Sequence, residues 1–192
     1  MNNIVPSLKY TSPTSSPSSS TPSTPTPVSK MSSSHAPDAK IEFLDSPATV
    51  HQKVSEADSS PGDITRGNGV LGILRDIIWP IAEMRFERSR GTVGCNLPEG
   101  KNIKTPEEES FVFPSAPEES ILSVCDLITG DGRHYNTYDE IERDYADGII
   151  SPNDLKNLVI GALNQLLRQI RKIYRESDEW RMVDELAYPG VI

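Results

Sequence analysis

The sequence has 192 residues and a formal net charge of −9, and its hydrophobic content of 35% lies below the usual share of globular proteins. This length fits one folded domain with an additional tail. No run of 18 apolar residues is present, which excludes a membrane-spanning helix within the sequence. The negative charge is not typical of a nucleic-acid-binding protein, although local charge carries more weight than the total.

The N-terminal part of the sequence is of low complexity. Every residue from Thr11 to Pro27 is Ser, Thr or Pro. Such a run has no apolar side chains to bury, so nothing offsets the conformational entropy that ordering would cost. The sequence therefore predicts a disordered tail over residues 1–37 and a folded domain over residues 38–192.

Capping residues predict where several helices begin. Ser46, followed by proline, is a helix N-cap and starts a short helix over residues 48–57. Thr137 and Glu140 have the spacing of a capping box, and the helix that they start is expected to end at Gly148.

The longest predicted helix begins at Ser151 and Pro152. Its apolar residues recur at helical spacing for about 24 residues, which indicates one buried stripe along its length. A last helix is predicted over about residues 178–186.

The middle of the sequence contains a strongly apolar run from Val70 to Trp79 at helical spacing, which predicts the central core helix. Pro80 is expected to kink or end this helix. Residues 84–88 alternate apolar and charged side chains and predict a short strand, with residues 133–136 as its return strand. Residues 91–127 are predicted to be an irregular insertion that contains a candidate strand at 111–113.

These elements predict a mostly α fold, in which a helical domain with a small antiparallel β-hairpin follows a disordered tail rich in Ser, Thr and Pro. No strand–glycine–helix unit of the kind that Rossmann-type nucleotide sites require is found in the sequence. Cys95, Cys125 and His134 provide at most three ligands, so no metal site is predicted.

The pentapeptide Lys30-Met31-Ser32-Ser33-Ser34 resembles the signature loop of class I aminoacyl-tRNA synthetases. In that loop a lysine and hydroxyl groups meet the ATP phosphates, where negative charge develops as pyrophosphate leaves. The segments that follow resemble the archaeal and eukaryotic tyrosyl-tRNA synthetases in the same order, at residues 39–47, 67–71, 139–147 and 151–157. The resemblance covers about 150 residues and does not depend on one motif.

The resemblance implies the activity of that family, which is the ATP-dependent attachment of tyrosine to its tRNA in the cytoplasm. ATP with Mg²⁺ would be the cofactor, and tyrosine tRNA the partner, with no membrane or DNA partner. In the family a Rossmann-like domain precedes the loop, binds tyrosine and forms the homodimer. Because this domain is absent from the sequence, the chain alone is expected to be an inactive fragment. Lys30, Ser32 and Ser33 would serve catalysis only if a catalytic domain were supplied.

The resemblance further implies that residues 38–192 recognise the tRNA anticodon. An aspartate at the place of Asp154 hydrogen-bonds the first anticodon base in the family, and Trp79 and Ile77 occupy the region where the base stacks. Unstacked loop bases suit this mode of recognition. Phosphate contacts are predicted for cationic residues of the longest helix, namely Lys156, Arg168, Arg171 and Lys172.

Structural roles explain the same residues. Asp154 has the spacing of a helix-capping carboxylate, Trp79 lies in an apolar run, and a basic helix side is commonly a solvated face. Two other functions therefore stay open. The chain could be a free-standing tRNA-binding module or an inactive remnant, or it could be a helical interaction protein with a phosphorylatable tail.

Overall fold

The computed structural model describes residues 40–65, 67–90 and 110–187, and all structural statements below refer to these ranges. The elements in chain order are α1 (Pro47–Ser55), α2 (Gly69–Ile73), a π-helical turn (Leu74–Ile78), α3 (Trp79–Ser89), β1 (Leu122–Cys125), β2 (Gly132–Tyr135), α4 (Tyr138–Ala146), α5 (Pro152–Glu176) and α6 (Asp178–Ala187). This arrangement confirms the mostly helical class with a small antiparallel sheet. The predicted tail, the loop at 30–34 and Cys95 lie outside the described residues. No described helix is both long and apolar enough to cross a membrane.

Helix α5 is the element around which the others pack. Its 25 residues begin at Ser151 and Pro152, as predicted, and the capping box between Ser151 and Asp154 is formed. Its buried stripe contacts α1, α2, the π-helical turn and β1. The fully buried members of the stripe include Leu155 and Val159. One long apolar face therefore supplies most of the core surface that the shorter elements share.

The predicted starts of α1 and α4 are also confirmed. The Ser46 side chain accepts a hydrogen bond from the backbone N–H of Thr49, and the capping box of Thr137 and Glu140 is present. Helix α4 ends before Gly148, whose φ of 74° is a left-handed conformation that favours glycine. Local capping chemistry thus determines these boundaries.

Of the two outcomes predicted for Pro80, a kink or an end of the core helix, the end is wrong. Helical structure continues without interruption from α2 through the π-helical turn into α3. The N–H of Trp79 donates to the carbonyl of Leu74, five residues earlier, which widens the turn just before the proline. A widened turn removes the close contact between a proline ring and the preceding turn, so the helix accommodates Pro80.

The strand predicted at residues 84–88 is wrong as well, because these residues belong to α3. Trp79 and Ala82 are the buried residues of α3, and both precede the alternating stretch. The alternation of apolar and charged side chains at residues 84–88 therefore does not correspond to alternating buried and exposed positions in the structure.

The β-hairpin forms from β1 and β2, which pair antiparallel from Leu122 opposite Tyr135 to Cys125 opposite Gly132. The return strand predicted at 133–136 is confirmed to within one residue. Its partner β1, however, lies inside the segment 91–127 that was predicted to be irregular. The candidate strand at 111–113 is not a strand, although the carbonyl of Phe111 accepts a hydrogen bond from the N–H of Ser123 at 3.0 Å along β1.

Tyr145 joins α4 to the turn that precedes α2. Its ring is fully buried, and its hydroxyl donates to the carbonyl of Ser60 at 2.8 Å. The same hydroxyl lies 2.8 Å from the Ser59 hydroxyl and accepts a longer bond of 3.4 Å from the Asn68 side chain. One buried phenol oxygen thus joins α4 to three polar groups of residues 59–68, of which Asn68 is buried.

We predict that Tyr145→Phe lowers the free energy of unfolding by about 1–2 kcal/mol, because the hydrogen bonds that join α4 to Ser59, Ser60 and Asn68 are lost. Urea denaturation measures this loss. Tyr138→Phe is the matched control. The Tyr138 hydroxyl is buried without a hydrogen-bond partner among the described residues, so its removal should be neutral or stabilising. Equal losses in the two variants would contradict this account of the Tyr145 network.

Candidate nucleic-acid interface

Asp154 lies at the junction of α5 and the β-hairpin and is only 6% exposed. Its Oδ2 accepts hydrogen bonds from the N–H of Ser151 at 3.1 Å and from the Ser151 hydroxyl at 2.6 Å. Its Oδ1 accepts the backbone N–H of Leu127 at 3.0 Å. The carboxylate therefore caps α5 and also fixes the loop between β1 and β2.

The hairpin loop beside Asp154 has its own internal support. Oδ1 of Asp126 accepts the N–H groups of Ile128 and Thr129 at 2.9 and 3.1 Å. These N–H groups, that of Thr129 first, hold the pKa of Asp126 below its usual range. The loop consequently presents Leu127, 53% exposed, and Ile128, 92% exposed, next to the capped end of α5.

A cavity of about 250 Å³ lies next to Asp154 between α5 and the segment 110–113. Its lining includes polar side chains of Ser123, Asn157 and Asp154 as well as the apolar Phe111 and Leu158. A concave site with a few convergent polar groups is typical of ligand recognition.

The lone pairs of Asp154 limit what else it can bind. A carboxylate has about four acceptor positions, and three are used by Ser151 and Leu127 in the structure. One position remains, on Oδ1, for a further donor. A base edge that donates two hydrogen bonds would therefore have to displace one of the existing bonds.

The predicted stacking residues are placed differently from the expectation. Trp79 is 5% exposed and packs edge-on against Tyr138, with 6.2 Å between the ring centroids. Ile77 is half-buried and packs against the same core. Neither side chain presents an open face to a base in this structure, because the apolar run of the core helix is used for packing. The exposed apolar side chains beside Asp154 are instead those of Leu127 and Ile128.

Sequence reasoning did not identify Leu127 and Ile128. The sequence predicted the return strand at residues 133–136 but not its partner β1. Without that strand, nothing in the sequence showed that two apolar residues lie exposed at the tip of a hairpin. The position of Leu127 and Ile128 follows from the pairing of β1 with β2, which the sequence did not predict.

The four predicted phosphate-binding residues are spread along α5. The Lys156 ammonium donates to the carbonyl of Ser55 at 2.9 Å and so caps the end of α1. The Arg171 guanidinium donates to the Asn164 side chain at 3.1 Å, and burial lowers its pKa. Arg168 and Lys172 are exposed.

The four predicted phosphate-binding residues extend over most of the length of α5. Lys172 lies eighteen positions after Asp154 on a continuous helix, which corresponds to a rise of about 27 Å. Only a large ligand such as a nucleic-acid stem and loop could contact both. Lys30, Ser32 and Ser33 lie outside the described residues, and no three His, Cys, Asp or Glu side chains gather at a metal-binding distance within the ranges described.

Comparison with known proteins gives consistent results for sequence and fold. The chain is 30% identical to a cytoplasmic tyrosine–tRNA ligase of Xenopus tropicalis over 161 residues, which is 84% of this chain and 23% of that protein. It is 29% identical to the cytoplasmic enzyme of Saccharomyces cerevisiae over 160 residues, 83% of this chain and 33% of that protein. No family model matches the chain.

Solved structures agree with these sequence matches. The crystal structure of the tyrosyl-tRNA synthetase of Pyrococcus horikoshii in complex with L-tyrosine superposes with a TM-score of 0.54 at 25% identity, over 81% of this chain and 32% of that one. The chain is a relative of the tyrosyl-tRNA synthetases. The synthetase of Aeropyrum pernix, at 22% identity and a TM-score of 0.57, shares the fold over 95% of this chain and 37% of that one.

The chain spans about a quarter to a third of the length of these synthetase relatives. The resemblance inferred from the sequence is therefore confirmed for the family. Which of the synthetase activities this chain performs is a separate question.

We predict that Asp154→Ala lowers the free energy of unfolding by about 2–4 kcal/mol, because the helix cap and the anchor of the hairpin loop are lost together. Urea denaturation measures the total, and amide hydrogen exchange at Leu127 measures the loop. Asp139→Ala is the matched control, since Asp139 is an exposed acid in the first turn of α4 and should contribute less than about 1 kcal/mol. A loss at Asp154 no larger than at Asp139 would show that the carboxylate does not hold the junction.

Proposed function

We propose that this chain contributes the anticodon-recognising part of a tyrosine–tRNA ligase. The observation that carries the proposal is the junction at Asp154, where a buried carboxylate, an exposed apolar hairpin tip and a cavity lie together. The synthetase relatives supply the identity of the RNA, because their names specify tyrosine and its tRNA.

The hairpin tip suits contact with single-stranded bases. Leu127 and Ile128 expose apolar surface, and the hydrogen bonds that the Asp126 carboxylate accepts order the loop in the absence of a ligand. Preorganised apolar surface can cover the face of an unstacked base by apolar contact, and the remaining acceptor position on Asp154 would accept one donor from the edge of that base. In this proposal Leu127 and Ile128 take the role that was first assigned to Trp79 and Ile77.

The cationic side of α5 would contact the RNA backbone. Lys172 and Arg168 are exposed towards its C-terminal end, on the helix whose N-terminal end carries Asp154. An RNA stem that leaves the anticodon loop along α5 would bring its phosphates to these side chains. Such contacts add affinity without base preference and weaken as salt concentration rises.

The complete enzyme would add the chemistry that joins tyrosine to the tRNA. In that enzyme Lys30, Ser32 and Ser33 would contact the phosphates of ATP and its Mg²⁺. The Rossmann-like catalytic domain would bind tyrosine and form the homodimer. We place this enzyme in the cytoplasm, as the names of the eukaryotic relatives state for those proteins. The anticodon-recognising role can be tested on the chain independently of ligation.

The test is a filter-binding titration of the full chain with tyrosine tRNA and with a variant of that tRNA that differs only in its anticodon. We expect tighter binding of the native anticodon, and a weaker affinity for both RNAs as salt increases. Lys172→Ala should weaken both RNAs equally and reduce the salt slope by about 0.7–1.

Ile128 in the hairpin tip and Leu186 in α6 are both exposed aliphatic residues, so one serves as the site variant and the other as its control. Ile128→Ala should weaken the binding of the native tRNA roughly fivefold, as expected for the loss of about 1 kcal/mol of apolar contact with a base. Leu186→Ala removes another exposed aliphatic side chain, from α6 and distant in sequence from the hairpin, and should leave the affinity for both tRNAs unchanged. Equal binding of the two tRNAs by the unaltered chain would reject anticodon recognition and favour an inactive remnant or a general interaction protein.

A further inference from the structure

The cavity beside Asp154 continues along one face of α5. Asn157 and Gly161 follow Asp154 at helical spacing in its lining, and Phe111 lies in the wall formed by the segment 110–113. Its volume of about 250 Å³ is below the roughly 300 Å³ at which pockets for drug-sized ligands begin. The cavity therefore suits a single small ring system.

Gly161 in this lining is not explained by the packing of the domain. It lies in the middle of α5, where glycine is less favourable than alanine. Its backbone conformation does not require glycine, and a Cβ built on it would meet no neighbouring group within 4 Å. Because Gly161 lines the cavity, however, a larger side chain at this position would occupy space beside Asn157 and narrow the cavity.

The polar groups of the cavity favour a neutral ligand with hydrogen-bonding edges. The Asn157 side chain donates one N–H to the carbonyl of Asn153 at 2.9 Å, and its amide oxygen accepts no hydrogen bond from the described residues. This amide can therefore still donate one hydrogen bond and accept at least one. Asp154 is the only charged residue among the described residues of the lining. With a carboxylate and no cation, this lining disfavours a phosphate group.

Phe111 adds an aromatic ring to the cavity wall. The guanidinium of Arg85 lies over this ring at 4.4 Å from its centroid, and the carbonyl of Phe111 accepts the N–H of Ser123 at 3.0 Å. Both contacts restrain the position of the ring. An aromatic side chain held in this way provides a surface on which a nucleobase can stack.

We propose that this cavity binds one unpaired base of the RNA, next to the base that contacts the hairpin tip. The inference rests on the proposed function, because that function supplies the RNA loop. The base would lie against Phe111 with its hydrogen-bonding edge towards the Asn157 amide, and Gly161 would leave the space that its ring requires. An asparagine side chain recognises a base edge that carries a donor next to an acceptor.

The spacing of Asp154 and Asn157 fits two neighbouring bases of an unstacked loop. Side chains three positions apart on a helix lie about 5–6 Å from each other. Stacked neighbours along one nucleic-acid strand are only about 3.4 Å apart. Two bases can therefore reach both residues when they are unstacked, as in the RNA loops that proteins recognise by sequence. The cavity would then recognise a base that Asp154 does not contact.

Anticodon stem-loops that each lack one loop base test this assignment. Fluorescence anisotropy measures the binding of the full chain to the intact stem-loop of tyrosine tRNA and to this abasic series. Gly161→Leu fills the cavity and should weaken the binding of the intact stem-loop roughly fivefold or more, as expected for the loss of one base contact. For the one abasic stem-loop that lacks the cavity base, the same substitution should leave the affinity unchanged.

A second variant and a control accompany Gly161→Leu. Asn157→Ala removes the amide without adding bulk, and it should lose its effect on the same abasic stem-loop. Gln169→Leu is the matched control, since it adds a leucine to an exposed position of α5 outside the cavity lining and should leave all affinities unchanged. Leucine favours a helix more than glycine does, so circular dichroism melting should show that Gly161→Leu keeps the fold.

The outcomes separate this inference from the proposed function. If the native stem-loop binds no better than one with a different anticodon, the proposed function fails and this inference fails with it. If the native stem-loop is preferred and Ile128→Ala weakens its binding, whereas Gly161→Leu and Asn157→Ala do not, the cavity inference alone is overturned. It is also overturned if Gly161→Leu weakens the binding of every abasic stem-loop to the same degree.

Discussion

The carboxylate of Asp154 joins the two parts of the domain on which the candidate site depends. One oxygen satisfies the first turn of α5 through Ser151, and the other holds the hairpin loop through the N–H of Leu127. The long helix organises the core, whereas the hairpin has only two strands and would be marginal alone. A single buried side chain therefore couples the position of an exposed loop to the helix around which the other elements pack.

In the proposed function, this coupling gives Asp154 a role in recognition in addition to its structural role. Helix-capping residues are common, and a capping role by itself would account for the burial of Asp154. The capped helix end, however, also places the acid beside Leu127 and Ile128 on a loop that Asp126 keeps in shape. A site on rigid elements loses little entropy when a ligand binds, and this suits recognition of a single-stranded loop that must itself be ordered.

Local chemistry made much of this domain predictable. Ser46, Thr137 and Ser151 marked helix starts because capping depends on residues only three apart. The helix continues past Pro80 through a π-helical turn, and it includes residues 84–88 on its surface, neither of which the local pattern could show. The partner strand β1 and the exposure of Ile128 depend on pairing between distant segments, so the hairpin tip was not predicted, whereas Asp154 was a candidate from the sequence.

The most direct test of the central claim is an NMR titration of the isotopically labelled full chain with the anticodon stem-loop of tyrosine tRNA. The account predicts chemical-shift changes at the amides of Leu127, Ile128 and Asp154, with smaller changes along the exposed cationic side of α5 and none at α6. A stem-loop with a scrambled anticodon should leave the hairpin amides unshifted. Changes confined to residues 168–175, or identical changes with both RNAs, would contradict the assignment of the Asp154 junction as the recognition site.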